Sequence, residues 1–257
     1  MIARFRQKLH VRSEAMLLSV ERSLPKIMSW WLALALLACW ARLSTSPLRG
    51  QSPELSTVLP YMLLTCAPLV SMALALTWFQ GGDTFPQPII RLARFGRWRI
   101  VTNAEARRHQ LYGTSGIMVS LMLGTLLNVP VRAAEYLAGM PAISGNVPAW
   151  LGTLRLMMTL DVVVMSSLYT FAFVAALRLV PLFPRLLVAI WAIDLMMQLG
   201  IAEAVTTSGD LPRQVGAVLG KLLYGNVEKV LISAALWSPY LLLSRRVNIT
   251  FRSRVPA

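Results

Sequence analysis

Charge is scarce in this chain. Asp, Glu, Lys and Arg together make up 14% of its residues, against roughly 25% in a soluble domain, which argues against a water-facing globule. Histidine and cysteine are nearly absent, with two of each. His10 and His109 lie in basic segments, and Cys39 and Cys66 lie inside apolar runs. This leaves no metal-ligand spacing and no disulfide framework, and no cofactor is expected. HExxH, Gly-x-Ser-x-Gly and a Cys/His pair are also missing, so the residues give no positive reason to propose an enzyme. The nearest thing to a phosphate loop is Gly216-Ala-Val-Leu-Gly220-Lys221. Three residues separate its glycines and Leu222 stands where Ser or Thr is needed, so it reads instead as a small-xxx-small helix contact.

Apolar sequence is what the chain has in quantity. It is 56% hydrophobic with a mean hydropathy of +0.59, and the apolar residues fall into long runs free of charge. About 20 apolar residues in a helix cross the ~30 Å hydrocarbon core of a bilayer, and a helix satisfies its own backbone groups there. The expected fold is an all-α polytopic integral membrane bundle of about six transmembrane helices, at 27–41, 58–79, 111–131, 156–177, 186–202 and 223–243. Pro60, Pro68, Pro130 and Pro239 are expected to kink their helices, because each removes a backbone hydrogen bond.

The net charge is +14. A basic chain can bind nucleic acid, but here Arg and Lys flank apolar spans and build no single basic domain, so anionic lipid headgroups are the expected partner. Of the basic residues, 18 fall on the N-terminus, the 80–110 loop, the 178–185 turn and the C-terminal tail, and 7 fall on the other side. The positive-inside rule then puts both termini in the cytoplasm. Residues 1–26 read as an amphipathic interfacial segment, with Ile2, Phe5, Leu9, Met16 and Val20 on one helical face; a solvated tail is the alternative. Residues 27–79 hold the first two spans. In the basic cytoplasmic loop 80–110, Arg91, Arg94, Arg97 and Arg99 alternate with apolar residues. That pattern could bind RNA, but beside two spans it reads better as a second interfacial helix. Residues 111–244 form a four-helix unit and 245–257 a basic tail. With those loop arginines, Arg245 and Arg246 of the tail are the expected headgroup contacts.

Asp161 and Asp194 are the acidic residues well inside predicted spans. An intramembrane carboxylate costs a few kcal/mol on insertion scales (~2.5–3.5) and so faces the bundle interior or water. Asp194 falls near the midplane, with Gln198 one turn on along the same face. Asp161 falls shallower, toward the outer end of its span. Two readings stand: a proton or cation site, or an interhelical hydrogen bond or salt bridge. The 132–150 stretch, with Pro141, Gly145 and Pro148, is expected to loop outside, with Arg132 and Glu135 pairing at i,i+3. Glu228 and Lys229 read as boundary charges.

The C-terminal stretch is the most distinctive: Trp237-Ser238-Pro239-Tyr240, then Ser244-Arg245-Arg246-Val247-Asn248-Ile249-Thr250-Phe251. It resembles the closing signature of the bacterial membrane family called domain of unknown function 2569, departing from it at Ser238 and Asn248. The resemblance implies a four-helix membrane unit over about residues 110–252 and a bacterial inner-membrane location; it brings no activity. The expected role is a non-enzymatic subunit or scaffold of such a membrane, in contact with other subunits or with itself. The alternative is a small transporter or channel for protons, cations or a lipid-like substrate, working through Asp194 and Asp161.

Overall fold

The computed structural model describes residues 2–46, 54–88, 96–143, 145, 147–209 and 211–257, and the side chains from Ala15 onward. In chain order its elements are α1 (Ile2–Thr45), α2 (Leu55–Trp78), β1 (Trp98–Ile100), α3 (Asn103–Arg107), α4 (Ile117–Gly139), α5 (Ala149–Leu177), α6 (Phe183–Thr207), α7 (Arg213–Leu243), α8 (Arg245–Arg252) and β2 (Arg254–Pro256). Among the described residues, five helices are long and apolar enough to cross a bilayer: α1 from Ala15, α2, α4, α5 and α6. The sixth, α7, qualifies together with α8 across a 72° bend. The fold is the expected all-α bundle, with the make-up of a membrane-embedded protein.

The bundle is organised around α5. This helix packs against α2, α4 and α6, while α7 packs on α6. Its stretch from Ala172 to Ala176 is wholly buried. Alanines on that stretch let neighbouring backbones come close, which is how helices gain contact in lipid. Trp31 of α1 donates its indole N–H to the Thr65 carbonyl of α2 at 3.0 Å, so this tryptophan joins two helices. Trp30 and Trp40 are exposed.

The turn from α5 to α6 is tight because two orphan carbonyls are satisfied within it. The Arg178 amide donates to Val174 O and the Val180 amide to Ala175 O, both at 2.8 Å. This closure needs a left-handed residue, and Leu179 supplies it at φ 56°, a conformation that costs a non-glycine residue roughly 1–2 kcal/mol. Gly82 packs directly against this turn. A Cβ there would lie 2.6 Å from both the Arg178 carbonyl oxygen and Val180 Cγ2.

Several expectations are corrected. Residues 2–45 form one continuous helix, so the basic N-terminal segment is not a separate piece from the first span. Pro25 is carried inside this helix, and the Ser29 hydroxyl donates to its carbonyl at 3.0 Å. The apolar face of Ile2, Phe5 and Leu9 lies outside the described side chains. Over its described part the basic loop holds the five-residue α3 and not the longer interfacial helix expected: Arg99 lies in strand β1, antiparallel to β2 with Arg99 opposite Val255. Arg99 pairs with Glu105 at 2.6 Å, and Arg97 is exposed. Arg91 and Arg94 lie outside the described residues. The third span does not end at Val131; α4 starts later and runs through Pro130 to Gly139. Prolines at 60, 68, 130 and 239 all sit inside helices, and Gly216 and Gly220 lie within α7.

The C-terminal segment is folded. Asn248 donates to the carbonyls of Ser244 (3.0 Å) and Leu242 (3.3 Å). Arg252 donates to the Leu241 carbonyl at 2.9 Å and to Asn248 Oδ1 at 3.0 Å. These two buried side chains take up carbonyls that the end of α7 leaves without intrahelical partners. Arg246 reaches the Gly113 carbonyl at 3.2 Å, while Arg245 is exposed. Trp237 and Tyr240 meet edge to face at 6.0 Å beside Pro239.

Gly82→Ala should lower the melting temperature of the detergent-solubilised protein, with a loss of about 1–3 kcal/mol from overpacking. Gly225→Ala, where an added Cβ meets nothing within 4 Å, should melt at or above the parent temperature. Equal melting of both variants would contradict the packing of Gly82 on the turn.

Candidate functional site

Four helices bring polar side chains to one place. α4 contributes Arg132, α5 Asp161 and Tyr169, α6 Asp194 and Gln198, and α7 Asn226 and Lys229. Asp194 and Gln198 are one turn apart and so share a face. Asp161 lies nearer mid-helix than its predicted span suggested, because α5 begins at Ala149.

Arg132 holds the site together. Its Nη1 donates to Asp161 Oδ2 at 2.9 Å, and its Nη2 pairs with Asp194 Oδ2. Tyr169 donates its hydroxyl to the same Asp194 oxygen at 3.2 Å, and the guanidinium carbon lies 5.8 Å from the Tyr169 ring centre. Gln198 Nε2 donates to Asp161 Oδ1 at 3.1 Å and, more weakly, to Asp194 Oδ1 at 3.5 Å. The side chains of Asp194, Asp161 and Arg132 are 0%, 9% and 10% exposed. Both carboxylates are therefore buried on one cation.

A second polar string runs outward from this cluster. Asn226 donates to Gln198 Oε1 at 3.2 Å. Lys229 donates to Asn226 Oδ1 at 3.4 Å and to Glu135 Oε1 at 2.5 Å. Arg132, Glu135, Tyr169, Asp194, Asn226 and Lys229 all line a cavity of ≈190 Å³ between α4 and α7. Among the described residues, no three His, Cys, Asp or Glu side chains converge as a metal site.

The structure thus brings together the three residues expected in the membrane interior, Asp161, Asp194 and Gln198. Arg132 was expected outside, paired with Glu135. It instead spans two helices inward, while Glu135 pairs with Lys229. Lys229 is a bridge across the cavity and Glu228 is not part of it. The prolines and the basic headgroup candidates Arg97, Arg99, Arg245 and Arg246 take no part in the cluster. The missed members had a readable signal. Asn128, Arg132 and Glu135 recur at i, i+4 and i+7, and Asn226, Lys229 and Ser233 at i, i+3 and i+7, so each helix carries a polar stripe.

Two carboxylates on one guanidinium leave the buried group one negative charge in excess when both are ionised. An unpaired buried charge is costly. One positive charge would cancel that excess. In comparisons with known proteins, no family model, curated protein or solved structure matches the chain.

Arg132→Met strips both carboxylates of their counter-charge and should destabilise the protein by about 3–5 kcal/mol. Adding Asp161→Asn and Asp194→Asn to that variant should recover most of the loss. Lys229→Gln, in a largely exposed pair, should cost under about 1 kcal/mol. Thermal unfolding of the four proteins in detergent checks the order, and a parent-like Arg132→Met would remove the ion cluster from the folded state.

Proposed function

We propose that this chain is a small, non-enzymatic membrane transport protein whose Asp161–Arg132–Asp194 cluster binds the coupling proton. One observation carries the reading: two carboxylates share a single buried cation, and that cation lies with Asp194 in the lining of a cavity. Intramembrane ionisable groups facing a cavity are the usual elements of proton relays. The site asks for one positive charge, and a proton is the smallest group that supplies it. Tyr169 and Gln198 hold the carboxyl oxygens in place by hydrogen bonds while the charge changes.

The setting proposed is a bacterial inner membrane, in keeping with the resemblance of the 237–251 signature to domain of unknown function 2569. Both termini would face the cytoplasm under the positive-inside rule, and exposed Arg97 and Arg245 would meet anionic headgroups there.

A second reading is a non-enzymatic subunit or scaffold, with another subunit or a second copy as partner. It is favoured by α7, which packs on α6 and leaves Val218, Tyr224, Ile232 and Leu236 more than half exposed. Buried ion groups can also serve only to fix how helices assemble.

Infrared spectra recorded across pH, with proton flux into dye-loaded proteoliposomes, separate the two. The parent protein should show the carbonyl stretch of a protonated carboxylic acid, and Asp161→Asn and Asp194→Asn should each weaken or remove it. Asp194→Asn should also abolish flux at unchanged folded yield. Absence of that band together with unchanged flux would sink the transport reading and leave the scaffold.

A further inference from the structure

A chain of hydrogen bonds joins the buried cluster to the exposed Lys229, and its direction is fixed at both ends. An ionised carboxylate only accepts, and an ammonium only donates. Two amides, Gln198 and Asn226, stand between them. Lys229 donates to Asn226 Oδ1 at 3.4 Å, and Asn226 Nδ2 donates to Gln198 Oε1 at 3.2 Å. Gln198 Nε2 then donates to Asp161 Oδ1 at 3.1 Å. Turning over either amide alone would set donor against donor and acceptor against acceptor. Gln198 is 1% exposed, so its amide must be matched by protein groups.

The oxygens open to a proton face the inner end of this chain. Asp161 Oδ2 and Asp194 Oδ2 both accept from Arg132, and Asp194 Oδ2 accepts from Tyr169 as well. A proton on Oδ2 would oppose those donors, which leaves Oδ1 of either carboxyl. Both Oδ1 atoms lie toward Gln198 Nε2, at 3.1 and 3.5 Å. The charged and titratable groups around this amide are thus Arg132 of α4, Asp161 and Tyr169 of α5 and Asp194 of α6. Lys229 of α7 and Glu135 of α4 stand at the far end.

We propose that Gln198 and Asn226 form a polarity relay, which carries the protonation state of the Asp161–Asp194 pair to Lys229. The proposal rests on the proton-binding reading of the cluster. A protonated Oδ1 becomes a donor and needs an acceptor. Arg132 offers none, and Gln198 supplies Oε1 by turning over. Its Nε2 then faces Asn226, which turns over in the same way and presents Nδ2 to Lys229. Two donors now meet, and the Lys229–Asn226 bond is lost, leaving Lys229 on Glu135. The proton stays on its carboxyl, and only the direction of the bonds is transmitted. Gln198 and Asn226 are positioning residues in this scheme, and the signal emerges at a side chain 63% exposed.

Nuclear magnetic resonance of the full chain in nanodiscs, labelled with ¹⁵N-lysine, reads the far end of the relay. Lys229→Arg identifies the Lys229 signal. All other samples carry Glu135→Gln, which removes the titration of the carboxylate paired with Lys229. The Lys229 signal should step as the pH falls through the titration of the infrared carboxylic acid band. Asn226→Leu and Gln198→Met should each shrink that step at least fivefold, with the acid band retained in Asn226→Leu. They cut the relay at different links, so one folded variant is enough. A Lys229 signal that stays still while the acid band titrates overturns the relay and leaves proton binding standing. A smaller reduction of the step in a folded variant overturns it equally. No acid band at any pH removes the proton-binding reading and the relay together.

Discussion

A carboxylate carried into a helix bundle must find a cation or a proton there, and this chain has placed two carboxylates on the same arginine. Asp161 and Asp194 arrive on adjacent helices, α5 and α6, and each offers an oxygen to a different arm of the Arg132 guanidinium. Both bonds form at once only if α4, α5 and α6 hold one axial register. The guanidinium is planar and its donors are fixed in direction, so it acts as a gauge between helices. Apolar packing alone would tolerate a shift along the helix axes, because leucine and valine faces have many nearly equivalent alignments. Lipid offers no solvent that would take the charges back at an intermediate position.

Much of the bundle could be read from the chain because its signals are local. Apolar length and the placement of arginine give the spans, and Asp161, Asp194 and Gln198 stand out as polar residues in apolar runs. Arg132 was hidden by Pro130. In water, a proline two residues upstream marks the end of a helix, and the residues beyond look like a loop. In lipid the same proline is tolerated, since neighbouring helices and local adjustments take up the freed carbonyl. Extending α4 through Pro130 to Gly139 moves Arg132 from a loop into the bundle. The strand pairing of Trp98–Ile100 with Arg254–Pro256 was hidden for a different reason. It joins segments about 155 residues apart, and three-residue strands leave no periodicity to detect.

The basic tail shows how one residue type serves two purposes. Arginine near a span end ordinarily suggests a headgroup anchor. Arg252 is instead buried and caps α7, with Asn248 beside it. Asn248 falls in an Asn-Ile-Thr sequon, yet its side chain is committed to the Ser244 and Leu242 carbonyls. The 72° bend after Leu243 requires such partners, since helix α7 ends there without a next turn to donate N–H groups to its last carbonyls. Thr250 accepts from the Gly113 amide at 3.1 Å, and the Val101 amide donates to Ser253 O at 3.0 Å. The tail thereby fixes the loop that leads into α4, the helix that carries Arg132.

The cavity follows from how α4 and α7 are patterned. Both turn polar stripes toward each other, Asn128, Arg132 and Glu135 against Asn226, Lys229 and Ser233. Two such faces gain little dispersion by closing up, since charged side chains are long and must keep their hydrogen-bonding groups satisfied. The helices therefore pack on α5 and α6 and meet across the gap chiefly through Lys229 and Glu135. That pair is partly solvated, with side chains 63% and 38% exposed, so it holds the gap weakly. The inner cluster, nearly dry, holds α4 to α5 and α6 strongly. The cluster thus joins three helices, while α7 is held to the bundle by its packing on α6 and by this solvated pair.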